Sequence, residues 1–301
     1  MNPAGDDSAT TTTTTTTEAA DGDLQRALEA SLRDVGTMSA QEQDRLTIDQ
    51  LNDIVATIAQ EQPMVGAKVG ISEALAAEYA ENPMKGFALG IDILNAKYSA
   101  MRRVRKDGNC FYRGFLYRYL EALVLAQQQQ PTTIPELVRI REVVKGSKKK
   151  LLDVGYDESA MDMFWEMFAE LLDQVPSLTP DALHLKLNDE QGVSNHVVWF
   201  CRALSATQIK LNADRFAPFI MGEDGLADVD KFCRTEVEPV NHECEQVQII
   251  ALTEMLQVPV TIEYLDASGH PSSIVFPEGA HPTVKLLYRP GHYDILYDTT
   301  D

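Results

Sequence analysis

Two separated segments of the sequence carry residues that could perform nucleophilic catalysis. The first, at 106–110, reads Lys-Asp-Gly-Asn-Cys and runs into an apolar stretch, 111–126, that predicts a helix. Gly and Asn tolerate positive φ, so Asp-Gly-Asn predicts a tight turn, after which Cys110 opens the helix. Unpaired N–H groups and the positive end of the helix dipole favour a thiolate there. We therefore expect Cys110 to be an ionised nucleophile.

The second segment, at 289–297, reads Arg-Pro-Gly-His-Tyr-Asp-Ile-Leu-Tyr and supplies a base. Pro-Gly ends one predicted strand and begins another, in which alternate side chains share a face, so His292 and Asp294 project to the same side. His292 can then pair with Cys110 and accept its proton, while Asp294 fixes the tautomer of the ring and stabilises the imidazolium. The backbone amides of 107–110 predict an oxyanion hole. Together the two segments predict a thiol hydrolase.

These motifs resemble those of the OTU-type cysteine proteases, and specifically the otubains. Two further runs resemble the same family: Glu-Val-Glu-Pro at 236–239 followed by Ile-Ile-Ala-Leu at 249–252, and Phe-Pro-Glu-Gly at 276–279 leading into 286–292. The likeness covers residues 45–298 and is strongest at the two catalytic ends. It implies an α+β, papain-like fold in which a helical lobe packs on a small mixed β-sheet.

The resemblance implies a deubiquitinase, which hydrolyses the isopeptide bond between the C-terminal glycine of ubiquitin and a lysine of another ubiquitin. By this likeness Cys110 is the nucleophile, His292 the general base and Asp294 its orienter. Asp107 matches the aspartate whose backbone amide serves the oxyanion hole, and its carboxylate is expected to shape the turn. The family also implies a preference for the chain linkage that signals proteasomal degradation.

The same family implies an alternative function without cleavage. Otubains can hold ubiquitin-charged conjugating (E2) enzymes and inhibit ubiquitin transfer. The expected partners are therefore ubiquitin, polyubiquitin chains and, under this alternative, E2 enzymes. The presence of Cys110, His292 and Asp294 favours the enzyme, since a pure binding protein need not retain all three.

The remaining cysteines have simpler interpretations. Cys201 and Cys233 lie in apolar contexts and are predicted to be small buried residues. The nearest metal candidate is His-Glu-Cys at 242–244 with Cys233 shortly before it, but the chain has no Cys-x-x-Cys pair. Structural zinc normally uses closely paired ligands, so we expect no metal and no cofactor.

Charge and composition bound the partners and the compartment. The chain has 46 acidic and 26 basic residues, a formal net charge of −20, which repels phosphate backbones and argues against nucleic acid as a partner. An acidic surface would suit a partner with a basic face, as ubiquitin has. Four cysteines without paired spacing fit a reducing compartment. No apolar run approaches the roughly 18 residues of a membrane span, so we expect a cytoplasmic or nuclear protein.

Composition shifts divide the chain into four parts. Residues 1–20 include eight successive threonines and predict a disordered tail. Residues 21–35 predict a short helix, 36–44 a linker, and 45–298 a single catalytic domain. Inside that domain we predict helices at 45–60, 72–79, 90–100, 111–126, 134–154 with a break at Gly146, 160–175, 180–187, 195–211 and 243–256, and strands at 258–264, 273–276, 284–288 and 293–297.

The predicted N-terminal helix has one narrow apolar stripe after an acidic start. Its pattern, with Leu24, Ala27, Leu28 and Ser31 on one face, resembles a ubiquitin-interacting motif. The small Ala27 and Ser31 would let the helix approach an apolar patch on ubiquitin, while Leu24 and Leu28 would fill it. An isolated helix this short is marginal in water, so it should order on a partner. The alternative is a helix docked on the catalytic domain.

Overall fold

A computed structural model describes residues 62–80, 84–130, 132–220 and 227–299 of the chain, all within the unit Ile58–Asp301. The threonine-rich tail, the helix at 21–35, the linker at 36–44 and the helix at 45–60 lie outside the described residues and stay predictions. No helix among the described residues is long and apolar enough to cross a bilayer.

The described chain contains ten α-helices and six strands, with short 3₁₀ and π turns between them. The helices are α1 (Ile71–Tyr79), α2 (Gly86–Lys97), α3 (Cys110–Gln128), α4 (Pro135–Asp153), α5 (Glu158–Gln174), α6 (Pro180–Leu187), α7 (Val193–Leu211), α8 (Ala213–Phe216), α9 (Val229–Phe232) and α10 (Gln246–Leu256). The strands are β1 (Val65–Val69), β2 (Tyr98–Val104), β3 (Val260–Tyr264), β4 (Ser272–Phe276), β5 (Val284–Arg289) and β6 (His292–Asp298).

The six strands form one sheet in the order β1-β2-β6-β5-β3-β4. Only the β3–β5 pair among them is parallel, so the sheet is mixed as predicted. β6 lies between β2 and β5, and its first residue, His292, pairs with Arg289 of β5. The strand that carries the predicted base is therefore held from both sides.

Helix α3 packs against β5 and β6 and forms the centre of the main core. Phe111 and Phe115 in its first turns are fully buried, and the ring of Phe111 lies 5.4 Å from that of Tyr293 on β6. Burial of such aromatic side chains is a major source of core stability. The packing brings the start of α3, and thus Cys110, to the strand that carries His292. The predicted α+β fold is confirmed.

The structure departs from the predicted elements in three places. The helix predicted at 90–100 ends at Lys97, and Tyr98–Val104 is strand β2, which pairs with both β1 and β6. Strand β1 was not predicted at all. The predicted break at Gly146 is absent because α4 is continuous from Pro135 to Asp153, and its buried residues Val144 and Leu151 anchor it on both sides of the glycine.

Candidate active site

The turn before Cys110 has the predicted conformation. Gly108 has a φ of +72°, and Cys110 is the first residue of α3. One carboxylate oxygen of Asp107 accepts a hydrogen bond from the amide of Asn109 at 3.0 Å, and the other lies 2.5 Å from the guanidinium of Arg113. As expected, the Asp107 carboxylate shapes the turn.

The thiol of Cys110 is buried against the first residues of β6. Burial raises its pKa to about 11, although backbone N–H groups of Tyr293 and Phe111 point at the sulfur and lower the pKa. The charges of Asp107 and Asp294 raise it further. The expectation of an ionised nucleophile is thus wrong for this conformation. The free-energy cost of removing a thiolate from water exceeds the stabilisation that the N–H groups at the start of the helix provide.

His292 and Asp294 lie on the same face of β6, as the alternation predicts. Nε2 of His292 donates a hydrogen bond to Oδ1 of Asp294 at 2.8 Å. The same oxygen accepts the amide N–H of Val104 at 2.9 Å, and Oδ2 accepts Nη2 of Arg289 at 2.6 Å. Burial alone would raise the pKa of the Asp294 carboxyl, but these partners together lower it to about 2. Asp294 is therefore ionised and fixes the ring.

The ring of His292 has a free nitrogen in this conformation. An ionised carboxylate can only accept, so Nε2 carries a proton, which leaves Nδ1 as the ring nitrogen that can serve as an acceptor. Nδ1 is buried and has no hydrogen-bond partner among the described residues. The expected pairing of His292 with Cys110 is thus not formed here, because the imidazole is held toward Asp294 while the thiol is covered by the backbone of Tyr293.

Cys110 and His292 line two different cavities. The larger, about 580 Å³, is lined by Cys110, Cys244, Gly291 and Tyr293 among others, with Phe219 exposed at its edge. The second, about 370 Å³, is lined by His292 with Arg103 and Lys106. Successive side chains of a strand point to opposite faces, which places Tyr293 in one cavity and His292 in the other.

Sequence reasoning missed an ionic network behind Asp294. Arg289 and Arg103 both contact Oδ2 of Asp294, at 2.6 and 3.4 Å, and both reach Glu78 of α1, at 2.6 and 2.5 Å. Arg289 lies in the same Arg-Pro-Gly-His run that identified the base, and its place opposite His292 across the β5–β6 turn was a usable signal. Glu78 belongs to a distant helix, and nothing in its local sequence points to the site.

The predicted ubiquitin-binding residues Leu24, Ala27, Leu28 and Ser31 lie outside the described residues. Their role remains a prediction. Cys201 and Cys233 are fully buried, as predicted.

A sequence profile described as Peptidase C65 Otubain matches residues 57–298. The chain belongs to the otubain family. The ubiquitin thioesterase OTUB1 of Homo sapiens is 37% identical to this otubain over 256 residues, which is 84% of this chain and 90% of that protein. The "OVARIAN TUMOR DOMAIN-containing deubiquitinating enzyme 1" of Arabidopsis thaliana is 36% identical over 260 residues, which is 79% of this chain and 82% of that protein.

Solved structures share the fold of this otubain. One, described as "The structure of h/ceOTUB1-ubiquitin aldehyde-UBCH5B~Ub", has a TM-score of 0.77 at 28% identity and covers 86% of this chain and 100% of the matched chain. A second, with UBC13~Ub in place of UBCH5B~Ub, has a TM-score of 0.75 at 28% identity and covers 85% of this chain and 98% of the matched chain.

Proposed function

We propose that this otubain is a thiol isopeptidase that hydrolyses the bond between the C-terminal glycine of ubiquitin and a lysine of another ubiquitin, with Cys110, His292 and Asp294 as its catalytic residues. The enzyme class follows from the family: the chain is a deubiquitinating cysteine protease. The roles of the three residues rest on their arrangement.

The unpartnered Nδ1 of His292 is the observation that carries the proposal. Asp294 holds Nε2, so the acceptor nitrogen Nδ1 is left free, and His292 directly precedes Tyr293, whose backbone N–H points at the Cys110 sulfur. A productive substrate complex needs this nitrogen to meet the thiol, take its proton and leave a thiolate beside an imidazolium. Asp294, ionised and buried, stabilises that imidazolium.

The chemistry then follows in two halves. The thiolate attacks the isopeptide carbonyl, and the amide of Cys110, with that of Asp107, stabilises the oxyanion that forms. His292 returns its proton to the departing lysine amine, which leaves ubiquitin attached to Cys110 as a thioester. Water, deprotonated by His292, hydrolyses the thioester and frees the ubiquitin carboxylate.

Single substitutions test these roles. Cys110→Ala should abolish cleavage of diubiquitin while preserving the melting temperature. His292→Ala should do nearly the same, and Asp294→Ala should lower turnover less severely. Cleavage retained by Cys110→Ala would refute the assignment, and an unchanged rate for Asp294→Ala would mean that another group orients the imidazole.

The linkage preference is also part of the proposal. We expect the chain linkage that signals proteasomal degradation to be cleaved fastest, as the resemblance implies. A panel of every diubiquitin linkage type, tested with the wild type and Cys110→Ala, measures this directly. Equal rates across the panel would remove the preference and leave the activity standing.

Binding of ubiquitin-charged E2 enzymes is the second candidate function. The two solved complexes described above contain OTUB1 with ubiquitin aldehyde and an E2~Ub conjugate, and this chain covers nearly all of the matched chains. In this chain the thiol and the imidazole are not hydrogen-bonded, so a bound conjugate need not be cleaved. Cys110→Ala should still slow ubiquitin discharge from a charged E2 enzyme if this function operates. Full discharge would exclude it.

We also propose that the helix predicted at 21–35 is an additional ubiquitin contact. A second contact joined by a linker raises the apparent affinity for chains without altering the chemistry. Deleting residues 1–35 should therefore raise KM for ubiquitin chains and leave turnover of a fluorogenic amide of monoubiquitin unchanged. Leu24→Ser with Leu28→Ser should reproduce the deletion. Equal KM values for the full chain and the deletion would favour the docked-helix alternative.

A further inference from the structure

Arg202 on α7 is one of the largest fully buried side chains of the described chain, and its exposed fraction is only 1%. Its guanidinium lies 4.6 Å from the centre of the Tyr112 ring. All of its hydrogen bonds go to neutral oxygens, and in the part of the chain that the structure describes no carboxylate pairs with it. A buried charge without a counterion is costly, and an apolar residue of similar volume is often the more stable choice.

The hydrogen bonds of Arg202 converge on the catalytic turn. Nη2 donates to the carbonyl of Gly108 at 2.9 Å and to Oδ1 of Asn109 at 2.9 Å, while Nε also reaches Oδ1 at 3.2 Å. Asn109 immediately precedes Cys110. Holding the Asn109 side chain and the Gly108 carbonyl restrains the backbone on the N-terminal side of the Asn109–Cys110 peptide, which carries the Cys110 amide.

The same guanidinium ties this turn to a second loop. Nη1 donates to the carbonyl of Val237 at 3.0 Å, and Nη2 donates to that of His242 at 2.7 Å. The two segments also interlock directly, because Asn109 exchanges hydrogen bonds with Asn241 at 2.9 and 3.1 Å. The residues after His242 line the cavity that contains Cys110. Arg202 therefore sets the turn and one wall of the cleft together.

We propose that Arg202 is a positioning residue for the oxyanion hole: it holds the turn of Gly108 and Asn109 from behind so that the Cys110 amide faces the developing oxyanion. The inference rests on the proposed role of Cys110 as the nucleophile. A planar fork with five donors suits this position, because it bonds several carbonyl groups in fixed directions. Lysine at this position would keep the positive charge but would lack the planar guanidinium and its several fixed donors.

The test compares the full-length wild type with Arg202→Lys in four measurements: turnover of a fluorogenic ubiquitin amide, inhibition by ubiquitin aldehyde, alkylation of Cys110 by iodoacetamide, and thermal unfolding. The aldehyde adduct has a tetrahedral oxyanion-like centre, whereas alkylation passes through no oxyanion. Misplacing a catalytic group by about 1 Å can cost on the order of 100-fold in rate. We expect kcat to fall by about that factor with KM within about twofold.

The two chemical probes separate positioning from general damage. Aldehyde affinity should fall in parallel with kcat, and the alkylation rate should stay within about twofold of the wild type. Unchanged kcat, unchanged aldehyde affinity, or an alkylation rate that falls with kcat would each overturn the proposal. Cys110→Ala is measured in the same assays. If Cys110→Ala cleaves the substrate, the assignment of the nucleophile is wrong. If Cys110→Ala is inactive while Arg202→Lys is fully active, only the proposed role of Arg202 is wrong.

Two further variants keep the result decisive. Arg118→Lys is a matched control, since Arg118 is a buried arginine on α3 whose guanidinium lies 5.0 Å from the Tyr297 ring, and its kcat should match the wild type. If Arg202→Lys does not fold, Asn109→Ala removes the Oδ1 acceptor and should lower kcat by roughly tenfold with unchanged alkylation. Wild-type kcat in Asn109→Ala would then reject the proposal.

Discussion

Arg289 and Asp294 form a buried ion pair, with Nη2 of the arginine 2.6 Å from Oδ2 of the aspartate. The opposite oxygen of the same carboxylate holds His292 at 2.8 Å. The arginine therefore fixes the plane of the carboxylate, and the carboxylate fixes the plane of the imidazole. Glu78, 2.6 Å from the other end of the guanidinium, links this chain of contacts to α1.

Arg289→Ala is expected to lower both the stability of the fold and the rate of turnover. Removing one partner of a buried ion pair leaves an uncompensated charge and costs about 3 kcal/mol. The freed carboxylate can also turn, which should lower kcat by roughly tenfold. Urea unfolding and turnover of a fluorogenic ubiquitin amide measure the two effects.

Arg103→Ala is the matched control for that change. Arg103 contacts the same carboxylate at 3.4 Å but its side chain is one-third exposed, so water can replace the lost contact. Arg103→Ala should lower the free energy of unfolding by only about 1 kcal/mol. Equal losses for the two variants would contradict the importance of the 2.6 Å contact.

Asp294→Asn should show a pH-dependent loss of stability. The folded-state pKa of Asp294 is lowered to about 2 from an ordinary value of 3.8, so its contribution is present above the ordinary value and lost as pH falls through about 2. The difference in unfolding free energy between wild type and variant should include about 2 kcal/mol from this source at neutral pH and roughly half of that near pH 3. Urea titrations across this range check it; a difference independent of pH would be evidence against the low pKa.

Alkylation of the free enzyme should reveal a protonated nucleophile. Burial raises the pKa of the Cys110 thiol to about 11, and only the thiolate reacts. The second-order rate with iodoacetamide should therefore rise about tenfold per pH unit across the neutral and mildly alkaline range. Mass spectrometry assigns the modified residue. A plateau below about pH 8 would show that the resting thiol is already ionised.

Gly108→Ala should unfold the catalytic turn. Gly108 has a φ of +72°, and an added Cβ would lie 2.3 Å from the carbonyl carbon of Asn241. Gly279 is a matched control, because its φ of +78° is similar but nothing lies within 4 Å of an added Cβ. Gly279→Ala should cost only the backbone strain of about 1–2 kcal/mol, and Gly108→Ala should cost clearly more and abolish activity. Similar melting temperatures for the two variants would mean that the turn can shift away from Asn241.

The sequence predicted what depends on local chemistry. The turn at Gly108, the helix start at Cys110 and the shared face of His292 and Asp294 each follow from a few adjacent residues, and the structure has all three. The sequence also predicted the α+β class, because the alternating apolar pattern of the last third indicates strands even when their pairing is unknown.

What the sequence could not predict depends on tertiary burial. The helix predicted at 90–100 covered the first three residues of β2, and the rest of that strand was not predicted. Two adjacent arginines interrupt its alternating pattern. In the fold Arg102 donates to the hydroxyl of Tyr297, and Arg103 joins the network behind Asp294. The thiolate expectation failed for the same reason. The helix start is a local feature, whereas the burial that raises the pKa of Cys110 depends on how the rest of the domain packs around it.

The place of β6 in the sheet bears on how the protein is made. This strand enters between β2 and β5, and it brings the imidazole, after every other described element has been translated. On the ribosome, a chain that ends before β6 has the Cys110 thiol but no base. Its sheet is then split into β1-β2 and β5-β3-β4, and the edges of β2 and β5 that would pair with β6 are unpaired. Such a nascent polypeptide cannot cut ubiquitin, and until β6 emerges it offers those edges to chaperones or to aggregation.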